Sequence, residues 1–132
     1  MMNVQLTVAS LLERAEKFFS KKTVVSRTQT RIQRFMYKQI GERTRQLAHA
    51  LGKLGVQKGD RVGTLAWNHH RHLETYFAAP GIGAVLHTIN LRLNPEHIIH
   101  IVNHAEDKVL LKHASLLFQI QSGKNDRLSV LF

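Results

Sequence analysis

The chain has 132 residues, enough for one domain with its own core, and carries 19 Lys and Arg against 9 Asp and Glu, a formal charge of +10. It has no cysteine, which excludes a disulfide framework, a thiolate metal site and a Cys nucleophile. No apolar run approaches the ~18 residues of a membrane span, and the basic residues are spread along the chain with no aromatic platform between them, so neither a transmembrane segment nor specific nucleic-acid binding is expected.

In chain order, residues 7–19 read as an amphipathic helix. Val8, Leu11, Leu12, Ala15, Phe18 and Phe19 recur at three and four, the stripe of a core-facing helix. Glu13, Arg14, Glu16 and Lys17 exclude a signal-peptide core, and acids mixed with bases weigh against a membrane-surface helix. Val24-Val25 and residues 32–35 read as short strands around a polar turn at 26–31. Residues 37–54 carry the clearest helical pattern, with Ile40, Thr44, Leu47, Leu51 and Leu54 at four, three, four and three before Gly55.

Residues 59–111 change period from strand to helix and back, twice. Strand 61–67 is followed by helix 70–83, with Leu73, Tyr76, Phe77 and Ile82 near one face, Arg71, Glu74 and Thr75 elsewhere, and Pro80 weakening the last turn. Strand 84–89 comes next. Asn94-Pro95-Glu96 has the form of a helix start, an Asn cap, Pro at the first position and an acid at the positive dipole end, opening a helix to about His104. Residues 108–111 make a third strand. Strand, helix, strand, helix, strand with short connections predicts an α/β fold with a mainly parallel sheet. Beyond it, residues 115–120 suit a further helix, 122–127 a polar turn and 128–132 a strand; ending on Val130-Leu131-Phe132 reads as truncation, by cloning or by an interrupted gene.

Each candidate for chemistry has a plainer reading. Pro80-Gly81-Ile82-Gly83 lacks the third glycine of a dinucleotide fingerprint, has Leu86 in its place, and runs from helix into strand, so it is read as a helix stop. His97, His100 and His104 stack along the side of their helix opposite Ile98, Ile101, Val102 and Ala105 and are expected to face solvent. His69, His70 and His72 crowd a helix start without carboxylates at ligand spacing, while Glu74 and Thr75 stand where a double-histidine acyltransferase would need its acid and glycine. His87, among apolar neighbours, is read as a satisfied buried histidine, and His104 to Asp107 as a helix exit. There is no G-x-S-x-G elbow and no G-x-x-x-x-G-K loop. No catalytic, cofactor-binding or metal residue is assigned.

The runs GDRVGTLAWN, LETYFAAPGIGAVLHTINLRLNPEHI and IVNHAEDKVLL resemble the amino-terminal region of bacterial fatty-acyl-CoA synthetases, in the adenylate-forming acyl-CoA ligase superfamily. The resemblance spans roughly residues 6–111 and implies four segments: an N-terminal helix at 1–22, a hairpin and long helix at 23–58, a βαβαβ core at 59–111 and a divergent tail at 112–132. It implies a cytoplasmic parent enzyme that uses ATP, Mg2+ and coenzyme A to turn a fatty acid, of medium or long chain, into its thioester, and that in some members pairs as a homodimer through the amino-terminal segment. Phe35-Met36-Tyr37 stands where the family has Phe-Thr-Tyr, so a capping hydroxyl is missing before the long helix. The family's phosphate loop and catalytic lysines have no counterparts here. Two readings follow: a fragment of the ligase, silent by itself, or a binding or self-association module using its basic surface and open sheet edge.

Overall fold

The computed structural model describes residues 5–28, 30–119 and 128–131. Val62, Leu65, Val109, Leu110 and Leu111 supply apolar residues to both faces of the short strands that carry them, so these strands need helices above and below. The chain provides them. α1 (Val8–Phe19) leads to an antiparallel hairpin of β1 (Thr23–Arg27) and β2 (Ile32–Met36), then α2 (Tyr37–Lys53), β3 (Arg61–Leu65), α3 (His70–Gly81), β4 (Val85–Thr88), α4 (Pro95–Ala105), β5 (Val109–Lys112), a 3-10 turn Ala114–Gln119 and β6 (Leu128–Leu131).

The four later strands form one parallel sheet in the order β4-β3-β5-β6. From β3 the chain crosses through α3 to β4 on one side, then returns through α4 to β5 on the other. Two crossovers of one hand running in opposite directions must place their helices on opposite faces. They do: Leu51, Val56, Val62, Ala78, Ala79, Val109 and Leu111 pack together under α2 and α3, while Leu65, Ile89, Ile98, Val102, Leu110 and Leu116 pack under α4.

The ends of the helices follow local chemistry. Thr7 and Ser10 exchange bonds in a capping box at α1, and Asn94 Oδ1 accepts from Glu96 N–H at α4. At α2 the capping residue is Met36; Gln39 Oε1 accepts its N–H at 2.9 Å, but no side-chain oxygen returns the bond. The Gly81–Gly83 stretch is a helix stop, with Gly83 at φ 77° and its N–H donated to Pro80 O.

Several expectations are corrected. The α1 stripe faces outward except for buried Leu12 and half-buried Ala15, because only that side meets the rest of the fold. On α3 the buried residues are His70, Glu74, Thr75, Ala78 and Ala79, while Tyr76 is exposed; the buried face is the one that holds Glu74 against α2. Ser26 belongs to β1 and is buried, not part of the turn. The further helix expected at 115–120 is present as a 3-10 helix over Ala114–Gln119. The expected turn at 122–127, Ile120 and Phe132 lie outside the described residues.

Candidate functional site at the sheet switch point

A parallel sheet opens a crevice where crossovers leave two adjacent strands in opposite directions, beyond the strands' carboxyl ends. Here those strands are β3 and β5. A cavity of about 660 Å³ lies there, lined by Trp67, Asn68 and His69 after β3, His113 after β5, and Arg27, Thr28 and Thr30 from the hairpin. No short motif marks it, since its lining comes from three separate stretches. The signal that finds it is topological: the residues just after each strand flanking the switch.

Two short relays shape its wall. Trp67 Nε1 donates to Ser115 Oγ at 3.0 Å, and that hydroxyl lies 2.8 Å from His113 Nδ1, which also accepts the Ser115 amide. The N–H of His70 donates to Ser26 Oγ at 3.1 Å, and the same oxygen lies 2.9 Å from His70 Nδ1. A neutral His70 can accept the Ser26 hydroxyl hydrogen there. Its pKa is pushed down to about 4, first by burial and then by the Arg43 charge. Burial also lowers His69 and His72. The Ser26–His70 distance suits a nucleophile and its base, but Ser26 is 3 % exposed and holds the hairpin to α3. It is a structural tie.

The remaining candidates lie elsewhere. His87 Nδ1 meets both Asp107 carboxylate oxygens at 2.9–3.0 Å on the α4 face, with Asp107 lying over Gly63 of β3, where an added Cβ would sit 2.8 Å from Oδ2. His87 is thus satisfied, as expected, and half-buried; Asp107 does more than end a helix. Glu74 is bound by Arg43, and Thr75 donates to Arg71 O. His97, His100 and His104 are exposed, the last two stacked at 5.9 Å, and no group of three metal-ligating side chains occurs among the described residues.

The imidazoles, hydroxyls, indole and single guanidinium of the crevice can bind and orient, and among the described residues they show no nucleophile positioned for attack. Comparison with known proteins decides the family: the model of the AMP-binding enzyme family matches residues 11–130. The chain belongs to the AMP-binding enzyme family. It is 50 % identical over 127 residues to a long-chain-fatty-acid–CoA ligase of Thermus thermophilus, covering 96 % of this chain and 24 % of that one, and 48 % identical over 112 residues to a medium-chain-fatty-acid–CoA ligase of Ectopseudomonas oleovorans, covering 84 % and 20 %. This AMP-binding family chain therefore spans about a quarter or less of the curated relatives it matches. Its fold is that of an anthranilate CoA ligase solved with anthranoyl-AMP (TM-score 0.87, 26 % identity, 99 % of this chain and 26 % of that one) and of a Mycobacterium tuberculosis fatty acyl CoA synthetase (TM-score 0.80, 22 % identity, 94 % and 26 %).

Proposed function

We propose that this chain is the amino-terminal part of an ATP-dependent fatty-acid–CoA ligase of the cytoplasm. In the parent reaction a fatty-acid carboxylate oxygen attacks the α-phosphorus of ATP and releases pyrophosphate; the thiol sulfur of coenzyme A then attacks the acyl carbon and releases AMP. The observation that carries the reading is 50 % identity over 127 residues to the Thermus thermophilus ligase.

These 132 residues supply framework and one wall of a crevice. They do not fit ATP and Mg2+ unaided: the sequence has no phosphate-cradling Gly-rich loop with a Lys, and the buried acids Glu74 and Asp107 are engaged by Arg43 and His87. The adenylation and thioester steps accordingly depend on residues beyond this chain.

The test is an exchange. The matching stretch of the Thermus thermophilus ligase is replaced by this chain, and acyl-CoA is measured with a long-chain fatty acid, ATP-Mg and coenzyme A. The chimera is expected to make acyl-CoA, and the 132-residue chain alone neither acyl-adenylate nor acyl-CoA. A folded chimera without product, or acyl-adenylate from the isolated chain, would overturn the reading.

A further inference from the structure

α1 presents an apolar strip to solvent. Leu6, Leu11 and Phe18 are 87 %, 51 % and 65 % exposed, with Val8 and Phe19 beside them, and only Leu12 of the helix is buried. Cations surround the strip: the Arg14 guanidinium lies 5.7 Å from the Phe18 ring and 5.4 Å from Phe19, and Lys17 Nζ lies 5.5 Å from Phe18. Ser20, Lys21 and Lys22 join Phe18 and Phe19 around a shallow hollow of about 400 Å³.

The acids of α1 do not balance these charges. Glu16 lies on the inner side, where Arg45 Nη1 meets both its oxygens at 2.9 and 3.0 Å and the bare Gly41 leaves it room. Exposed Glu13 remains against Arg14, Lys17, Lys21 and Lys22. The sequence alone shows mixed charge on this helix; the folded chain sorts it into an internal ion pair and a basic, apolar outer face.

We propose that α1 and the turn after it are a docking surface for an anionic phospholipid bilayer. An amphipathic helix of this kind lies in the interface plane, with its apolar residues at the acyl boundary and its Lys and Arg among the headgroups. Charge selects this occupant over a second copy of the chain, which would bring its own basic rim against this one. The inference rests on the surface alone and stands apart from the ligase reading.

Flotation with vesicles tests it on the 132-residue chain. Phosphatidylcholine vesicles containing about one-third phosphatidylglycerol are expected to carry the chain at about 0.1 M salt, and pure phosphatidylcholine vesicles to leave it behind. Leu11→Ser with Phe18→Ser, which keeps the charge, is expected to lower binding about tenfold or more, and Lys21→Glu with Lys22→Glu by a comparable factor. Binding by the serine variant equal to the parent's would assign the effect to general sticking of a +10 chain and overturn the proposal. So would equal binding to both vesicle types, or a concentration-dependent dimer that the serine variant abolishes. If the serine variant fails to fold, Phe18→Trp with Trp67→Phe replaces it: quenching of its emission by brominated phosphatidylglycerol supports insertion, and unquenched emission overturns it.

Discussion

Arg43 on α2 grips Glu74 on α3 with two bonds, Nε to Oε1 at 2.6 Å and Nη2 to Oε2 at 3.2 Å, and Arg43 also lies 5.2 Å over the Phe35 ring. The partners differ in exposure. Glu74's side chain is 5 % exposed and Arg43's is 38 %, so losing the arginine strands a buried carboxylate while losing the glutamate leaves a cation that can turn to water. Arg43→Ala is expected to cost about 3 kcal/mol and Glu74→Gln about half that. Urea denaturation midpoints of the two variants decide it, and a larger loss for Glu74→Gln would refute the asymmetry.

Buried neutral histidines at the start of α3 predict acid sensitivity. The folded chain holds His70 near pKa 4, whereas an unfolded chain takes a proton near 6.5, so the unfolded state binds more protons between those values. Stability is complete above about pH 7, falls as pH drops from about 6.5 to about 4, and levels off below, for a loss on the order of 3 kcal/mol from this group. His69 and His72, also lowered, act in the same direction. Thermal midpoints from pH 7.5 to 4.5 should decline, and less steeply in His70→Asn; a flat profile would contradict the account.

Thr64 of the central strand is fully buried, and its Oγ1 has no hydrogen-bond partner among the described residues. Replacing the hydroxyl by a methyl of similar shape removes a desolvated polar atom. Thr64→Val is expected to stabilise by about 1 kcal/mol, read as a higher urea midpoint with unchanged slope. A destabilised variant would mean that the hydroxyl has a partner in solution.

Gly63 sits under Asp107. A Cβ there would lie 2.8 Å from Oδ2 and 3.0 Å from Leu110 Cδ1, so Gly63→Ala must displace the carboxylate that holds His87. We expect a loss of about 1–3 kcal/mol, and with Asp107→Ala a combined loss smaller than the sum of the two. Strict additivity in that cycle would show that the contact does not couple the two residues.

Met36 caps α2 with only half of a reciprocal pair, since Gln39 reaches back but receives nothing. Met36→Thr adds the missing acceptor for the Gln39 amide and is expected to gain about 1 kcal/mol. A melting temperature unchanged by the substitution would show that water already caps that amide adequately.

The alternation of the parallel sheet was legible because each period change falls beside a turn residue: Gly59, Asn68, Gly83 and Asn94 punctuate it. Which way a helix faces was less so. Glu74 looks like a surface acid until α2 brings Arg43 from 31 residues away, and Ser26 looks like a turn residue until the amide of His70 arrives from 44 residues on. The stripe on α1 has core spacing, yet the described residues cover only its Leu12 side. His87 and Asp107 are 20 residues apart and meet through sheet register and the bareness of Gly63. Periodicity reports amphipathicity; the identity of the covering partner is a long-range fact.

The strand order also sets a timetable for synthesis. β3 is the first strand of the sheet to leave the ribosome, and Arg61 waits for Val85, 24 residues later, while Val62 waits for Val109, 47 residues later. At about 5–20 residues per second, one edge of β3 goes uncovered for roughly 1–5 s and the other for roughly 2–10 s. A nascent-chain chaperone that shields Arg61–Leu65 over that interval would guard the segment most exposed to mispairing.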